Sequence, residues 1–92
     1  MTTSKTETQE SLPQIDFGMF VMSLASSALV HLGEVAHPER GAAEINLALA
    51  KQTIDILGML REKTRGNLTK EESELLENLL LDLRMKYVAK KK

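Results

Sequence analysis

His31, Glu34 and His37 stand three residues apart. On an uninterrupted helix they would share one face and offer the imidazole and carboxylate donors that zinc and iron take. The run is interrupted by Gly33 and Pro38, and no fourth ligand follows at a matching spacing. No metal is therefore expected: His31 reads as a helix-end histidine beside the C-terminal dipole, and His37 as a solvated loop residue. Glu71, Glu72 and Glu74 are close enough in sequence for paired acid-base work, but in the first turns of a helix the dipole and capping account for them. No serine, threonine or lysine has a base partner. Gly66-Asn67-Leu68-Thr69 lacks the glycines and the Lys-Ser/Thr ending of a phosphate loop. The sequence predicts neither an enzyme nor a cofactor.

Non-covalent chemistry is better represented. Gln52, Thr53 and Asp55 are placed to meet Arg84 or Lys86 of another helix in a polar network that would fix how the helices pair. The alternative is a solvated face, on which Lys51 and Asp55 form an exposed pair worth only about 0.3 to 0.5 kcal/mol. A basic end, Arg84, Lys86, Lys90, Lys91 and Lys92, could touch phosphates, as could the Lys51, Arg61, Lys63 and Arg65 side of the second helix. Against this stand a net charge of -1, acidic residues upstream and a single nearby aromatic, Tyr87. Nucleic acid is not the expected partner, and Lys90 to Lys92 read as a solubilising tail.

The elements that position these groups are helices. Residues 1 to about 14 are polar, without hydrophobic period, and are expected to be a mobile tail; they do not read as a signal peptide. Asp16 is an N-cap for a run from Phe17 to Leu32 that contains no Asp, Glu, Lys or Arg, closed by Gly33. Its apolar residues go nearly all the way round, so no solvated face is marked. At about 16 residues and 1.5 Å each it spans roughly 24 Å, short of a hydrocarbon core of roughly 30 Å. Membrane insertion is not expected. Ser23, Ala25, Ser26, Ser27 and Ala28 form a small-residue belt where another helix can approach.

The segment from Gly33 to Ile45 is the one long loop. Asn46 caps a second helix, to about Arg65, with a buried stripe of Leu49, Ala50, Thr53, Ile54, Leu57 and Leu60. Gly58 inside it costs about 1 kcal/mol relative to alanine, which predicts close packing against a neighbouring backbone, the belt of helix one being the candidate. Thr69 and Glu72 form a capping box that opens a third helix. There Leu76, Leu79, Leu80, Leu83 and Tyr87 make one face, which Leu75, Leu81, Met85 and Val88 widen beyond what one partner covers.

The expected fold is all-α, with three helices at about 16–33, 46–65 and 69–89. The 92 residues make one domain, and a chain this short buries only about 60 to 65% of the surface its unfolded form exposes. With Cys 0 no disulfide can staple it, which leaves association. Helix one is expected in the middle of a core completed by a second copy, a dimer first of all. Interface candidates are Phe20, Leu24, Ser27, Ala28 and Leu29 in helix one, Gly58 in helix two, and Leu81, Met85 and Val88 in helix three. Lack of cysteine fits a reducing compartment, and the cytoplasm is the default location.

Several blocks match a known family. They are Ser27-Ala28-Leu29, Leu32-Gly33-Glu34, Asn46-Leu47, Ala50-Lys51-Gln52-Thr53-Ile54-Asp55-Ile56-Leu57-Gly58-Met59-Leu60, Glu62-Lys63-Thr64, Gly66-Asn67-Leu68-Thr69 and Asp82-Leu83-Arg84-Met85-Lys86-Tyr87-Val88. From about Phe17 to Val88 the chain resembles a bacterial family catalogued as domain of unknown function 1844. It departs from the family's pattern in the loop, at His37, Arg40 and Ala42-Ala43, and in a shorter N-terminal tail. The resemblance implies a compact helical protein and supplies no activity, substrate or catalytic residue. The expected function is a non-enzymatic homo-oligomer that serves as a scaffold or adaptor. The alternatives are an RNA- or ribosome-associated factor using the basic C-terminus, and a peripheral membrane protein that releases helix one into the interface.

Overall fold

The computed structural model describes residues 14–35 and 45–91. These form three helices, α1 (Phe17–His31), α2 (Leu47–Lys63) and α3 (Lys70–Lys91). Each boundary lies within two residues of the sequence expectation, the ordinary scatter of helix ends. The difference with a consequence is at the C-terminus. Lys90 and Lys91, expected to be tail, continue α3, and Lys90 reaches Glu34 at 3.6 Å.

Local hydrogen bonding explains where the helices start and stop. The Asp16 carboxylate accepts the Met19 amide at 2.8 Å, and the Asn46 side chain accepts the Leu49 amide at 3.1 Å. Each takes up an amide that has no intrahelical partner. Thr69 and Glu72 form the reciprocal box: the Thr69 amide donates to the Glu72 carboxylate at 3.0 Å and the Glu72 amide to the Thr69 hydroxyl at 3.1 Å. At the end of α1, Gly33 has a φ of 77°. Its amide donates to the Val30 carbonyl at 3.0 Å and the Glu34 amide to the Leu29 carbonyl at 2.9 Å. That pair of bonds is a Schellman motif, which glycine enters without a Cβ penalty.

Leu32 and Ile45 form an isolated antiparallel bridge, and the Asn46 amide donates to the His31 carbonyl at 2.7 Å. These contacts bring the start of α2 beside the end of α1, so the chain turns back. Arg61 meets Glu77 at 3.3 Å, and Gly58 lies under Arg84, so α3 runs antiparallel to α2. Gly18 lies against Leu75 at one end and Glu34 against Lys90 at the other, so α1 and α3 run parallel. All three pairs of helices touch.

The core is built from one stripe of each helix: Val21, Ala25, Ala28 and the capping Leu32 from the α1 segment, Ala50, Ile54 and Leu57 from α2, and Leu76, Leu80 and Leu83 from α3. Burying each of the larger side chains contributes roughly 1.5 to 3 kcal/mol. Thr53, the one buried polar residue among those described, donates its hydroxyl to the Leu49 carbonyl at 3.1 Å, which removes the penalty of an unpaired group. Leu49 itself, expected in the buried stripe, is 42% exposed.

Candidate interaction surfaces

The three-helix packing encloses one face of α1 and leaves the other open. Val21, Ala25, Ala28 and Leu32 recur at spacings of four, three and four and are buried. On the opposite side Met19, Phe20, Met22, Ser23, Ser26 and Ser27 are exposed. None of these carries a charge. The small-residue belt is thus split: Ala25 and Ala28 pack inward, and the three serines face out between larger apolar side chains. Ala28 is 0% exposed, which removes it from the candidate interface, because its methyl is already in contact with the chain's own core. Leu24 and Leu29 flank the open face and are half-buried against that same core. Phe20 and Ser27 lie on the open face.

A second apolar surface lies on α3. Leu81, Met85 and Val88 are 62%, 64% and 54% exposed, at the four-three spacing of a helix seam. Leu75, which meets Gly18, and Lys90, which meets Glu34, mark the side of α3 toward α1. At about 100° per residue the exposed row lies roughly 150° round from them. The two apolar surfaces are therefore on opposite sides of the molecule. Val88 also lines a cleft of about 280 Å³ between α2 and α3, with Lys51, Ile54, Asp55, Arg84 and Tyr87 around it.

Gly58 lies beside Arg84, one of the residues that line this cleft. The nearest atom to a Cβ built there is Nη2 of Arg84, at 3.1 Å. The expectation that Gly58 admits the belt of α1 is corrected: it faces the side of α2 toward α3, and what crosses over it is a guanidinium.

The expected network among Gln52, Thr53, Asp55, Arg84 and Lys86 does not form within the chain. Asp55 is paired with Lys51 at 2.8 Å, Lys86 with Asp82 at 2.7 Å, Thr53 bonds its own helix, and Gln52 is exposed. Partners one turn away on the same helix win because no ordering of a second helix is needed to reach them. The interhelical ion pair is instead Arg61 with Glu77, and Lys90 with Glu34 ties the end of α3 to the residues after α1. Neither was legible in the sequence, where helix facing cannot be assigned before packing is known. The hydrogen bond to Asp55, and its charge, hold Lys51 above its ordinary value. Asp82 raises Lys86 chiefly through its hydrogen bond, and Arg65 lowers Glu62 in the same way.

Ion pairs also occupy most of the basic side of α2, Lys63 excepted. Lys51, Arg61 and Arg65 each have a carboxylate partner, and Lys91 lies 5.8 Å from the centre of the Tyr87 ring. Among the described residues no three His, Asp or Glu side chains come together as a metal site; His37 and Arg40 lie outside them. No helix among the described residues is long and apolar enough to cross a membrane.

No curated protein and no solved structure matches the chain. The family described as a domain of unknown function, DUF1844, matches residues 14–89, and the chain belongs to it.

Proposed function

We propose that this DUF1844 chain is a non-enzymatic adaptor that self-associates through the outer face of α1, with a second copy completing the core. The observation that carries the reading is the open, uncharged face of Met19, Phe20, Met22, Ser23, Ser26 and Ser27, set directly behind the buried stripe of the same helix. A two-fold interface brings one patch against itself, so any charge on it would meet its like. This patch has none. Its serines also leave room between the larger side chains for the methionines and phenylalanine of a facing helix, which two copies can supply to each other.

The RNA-associated reading has less support, because three of the four basic residues Lys51, Arg61, Lys63 and Arg65 are already paired with carboxylates. The membrane-surface reading lacks the flanking Lys and Arg that interfacial helices use. The test is light scattering after size exclusion, over a wide dilution range, on the full chain and on Ser26→Arg. Ser26 is exposed within the single chain, so the variant keeps its helical signal. An oligomer that Ser26→Arg reduces to a monomer supports the reading. A wild-type chain that is monomeric throughout overturns it.

A further inference from the structure

The exposed residues on the outer face of α1 are sorted by size along the helix. Met19, Phe20 and Met22 come first, and Ser23, Ser26 and Ser27 follow. A face that is large in one half and small in the other fits a copy of itself only when that copy runs the opposite way.

We propose that two copies of α1 pair antiparallel about a two-fold axis at Ser23. This rests on the outer face of α1 being the self-association surface, and it specifies how that face meets its copy. Residues seven apart on a helix stand about 20° from each other round its axis. Phe20 and Ser27 therefore share one flank of the face, and Met19 and Ser26 share the other. An antiparallel two-fold sets each flank against the same flank of the second copy. With the axis at Ser23, Phe20 comes within one residue's rise, about 1.5 Å, of the level of Ser27 of the second copy, and Met19 equally close to the level of its Ser26. Each large side chain thus faces a serine. Ser23 meets itself on the axis, where a short side chain lets the two backbones approach.

Other arrangements lose this fit. In a parallel pair each residue stands level with its own mate, so the large side chains crowd one end and the serines leave the other unfilled; both overpacking and empty space are destabilising. Moving an antiparallel axis toward Met19 brings large onto large, and moving it toward Ser27 brings serine onto serine. Antiparallel pairing also sets the positive end of each α1 dipole beside the negative end of the other. Because α1 and α3 run parallel within the chain, it sends the two basic ends, at Lys90 and Lys91, to opposite ends of the pair.

The chain contains no cysteine, so single replacements in the full chain report the register directly. Ser23→Cys and Ser27→Cys are measured by light scattering in the reduced form, then oxidised with glutathione disulfide and separated on a denaturing gel without reductant. A disulfide needs Cα atoms within about 7 Å. Ser23→Cys, on the axis, is expected to convert to a linked dimer. Ser27→Cys is not, because the two copies of position 27 lie about 12 Å apart along the helices. A second readout exchanges large for small. Ser27→Phe is expected to weaken association about tenfold, since Phe20 of the second copy needs that space, and adding Phe20→Ser is expected to restore it. Linking at position 27 as fast as at position 23, an associated Ser23→Cys chain that does not link, or a double variant no better than Ser27→Phe would overturn the proposal. Light scattering separates the two readings: a wild-type chain that associates while these outcomes fail loses the register alone, and one that stays monomeric loses both.

Discussion

Nη2 of Arg84 lies 3.1 Å from the position that a Cβ on Gly58 would take. The obstacle to a side chain at position 58 is thus the far end of an exposed, flexible chain, and neither the backbone of α1 nor that of α3 stands in the way. A guanidinium can move by a few tenths of an ångström at little cost, whereas a packed backbone cannot.

Gly58→Ala is therefore expected to stabilise the protein, by roughly 0.5 to 1 kcal/mol, the helix propensity that glycine forfeits in mid-helix. Urea unfolding of the two chains, with the slope unchanged, measures it. Destabilisation would mean that Gly58 is held against something more rigid than Arg84.

The sequence led to the belt of α1 as the neighbour of Gly58, and the reason it is Arg84 instead shows what was legible. Asp16, Gly33, Asn46 and the Thr69–Glu72 box act on neighbours within a few residues, so their chemistry can be read directly and each is realised. The facing of α1 was not legible. A helix without charges from Phe17 to Leu32 gives hydrophobic periodicity nothing to contrast with. Only packing selected Ala25 and Ala28 for the inside and Ser23, Ser26 and Ser27 for the outside. With the facing unknown, the neighbours of Gly58 and of Arg84 were unknown too.

Gly66 poses the reverse case. Its φ is 86°, and a Cβ there would have nothing within 4 Å. Gly66→Ala is expected to cost about 1 to 2 kcal/mol through backbone conformation alone. Gly66→Asn is expected to cost less, because asparagine tolerates the left-handed region. Equal losses for both would point to a steric cause that the open surroundings do not contain.

The exposed ion pairs predict opposite pH limits. Glu62 is held below its ordinary 4.5, first by the hydrogen bond from Arg65 and then by its charge. Its contribution is present above that value and lost as pH falls through the lowered one. Lys51 and Lys86 are raised above 10.5 by Asp55 and Asp82. Their contributions are present below 10.5 and lost as pH rises through the raised values. Carboxyl resonances followed through an acid titration should show Glu62 moving back toward 4.5 in Arg65→Gln. An unchanged midpoint would refute the assignment to Arg65.

Two adjacent residues separate the inner face of α1 from the outer. Ala28 is 0% exposed, so Ala28→Leu forces extra volume into a filled core and is expected to cost about 1 to 3 kcal/mol. Ser27 is exposed, so Ser27→Leu should change the stability of the dissociated chain by no more than about 0.5 kcal/mol. Its effect belongs to the copy opposite, since a leucine in the serine belt fills the space that a facing helix needs. The pair of variants, compared by thermal unfolding under dilution and by light scattering at high concentration, therefore divides folding from association. Loss of stability at position 28 with loss of the oligomer at position 27 is the expected pattern. Indifference to both leucines would mean that α1 has neither the core contacts nor the partner assigned to it.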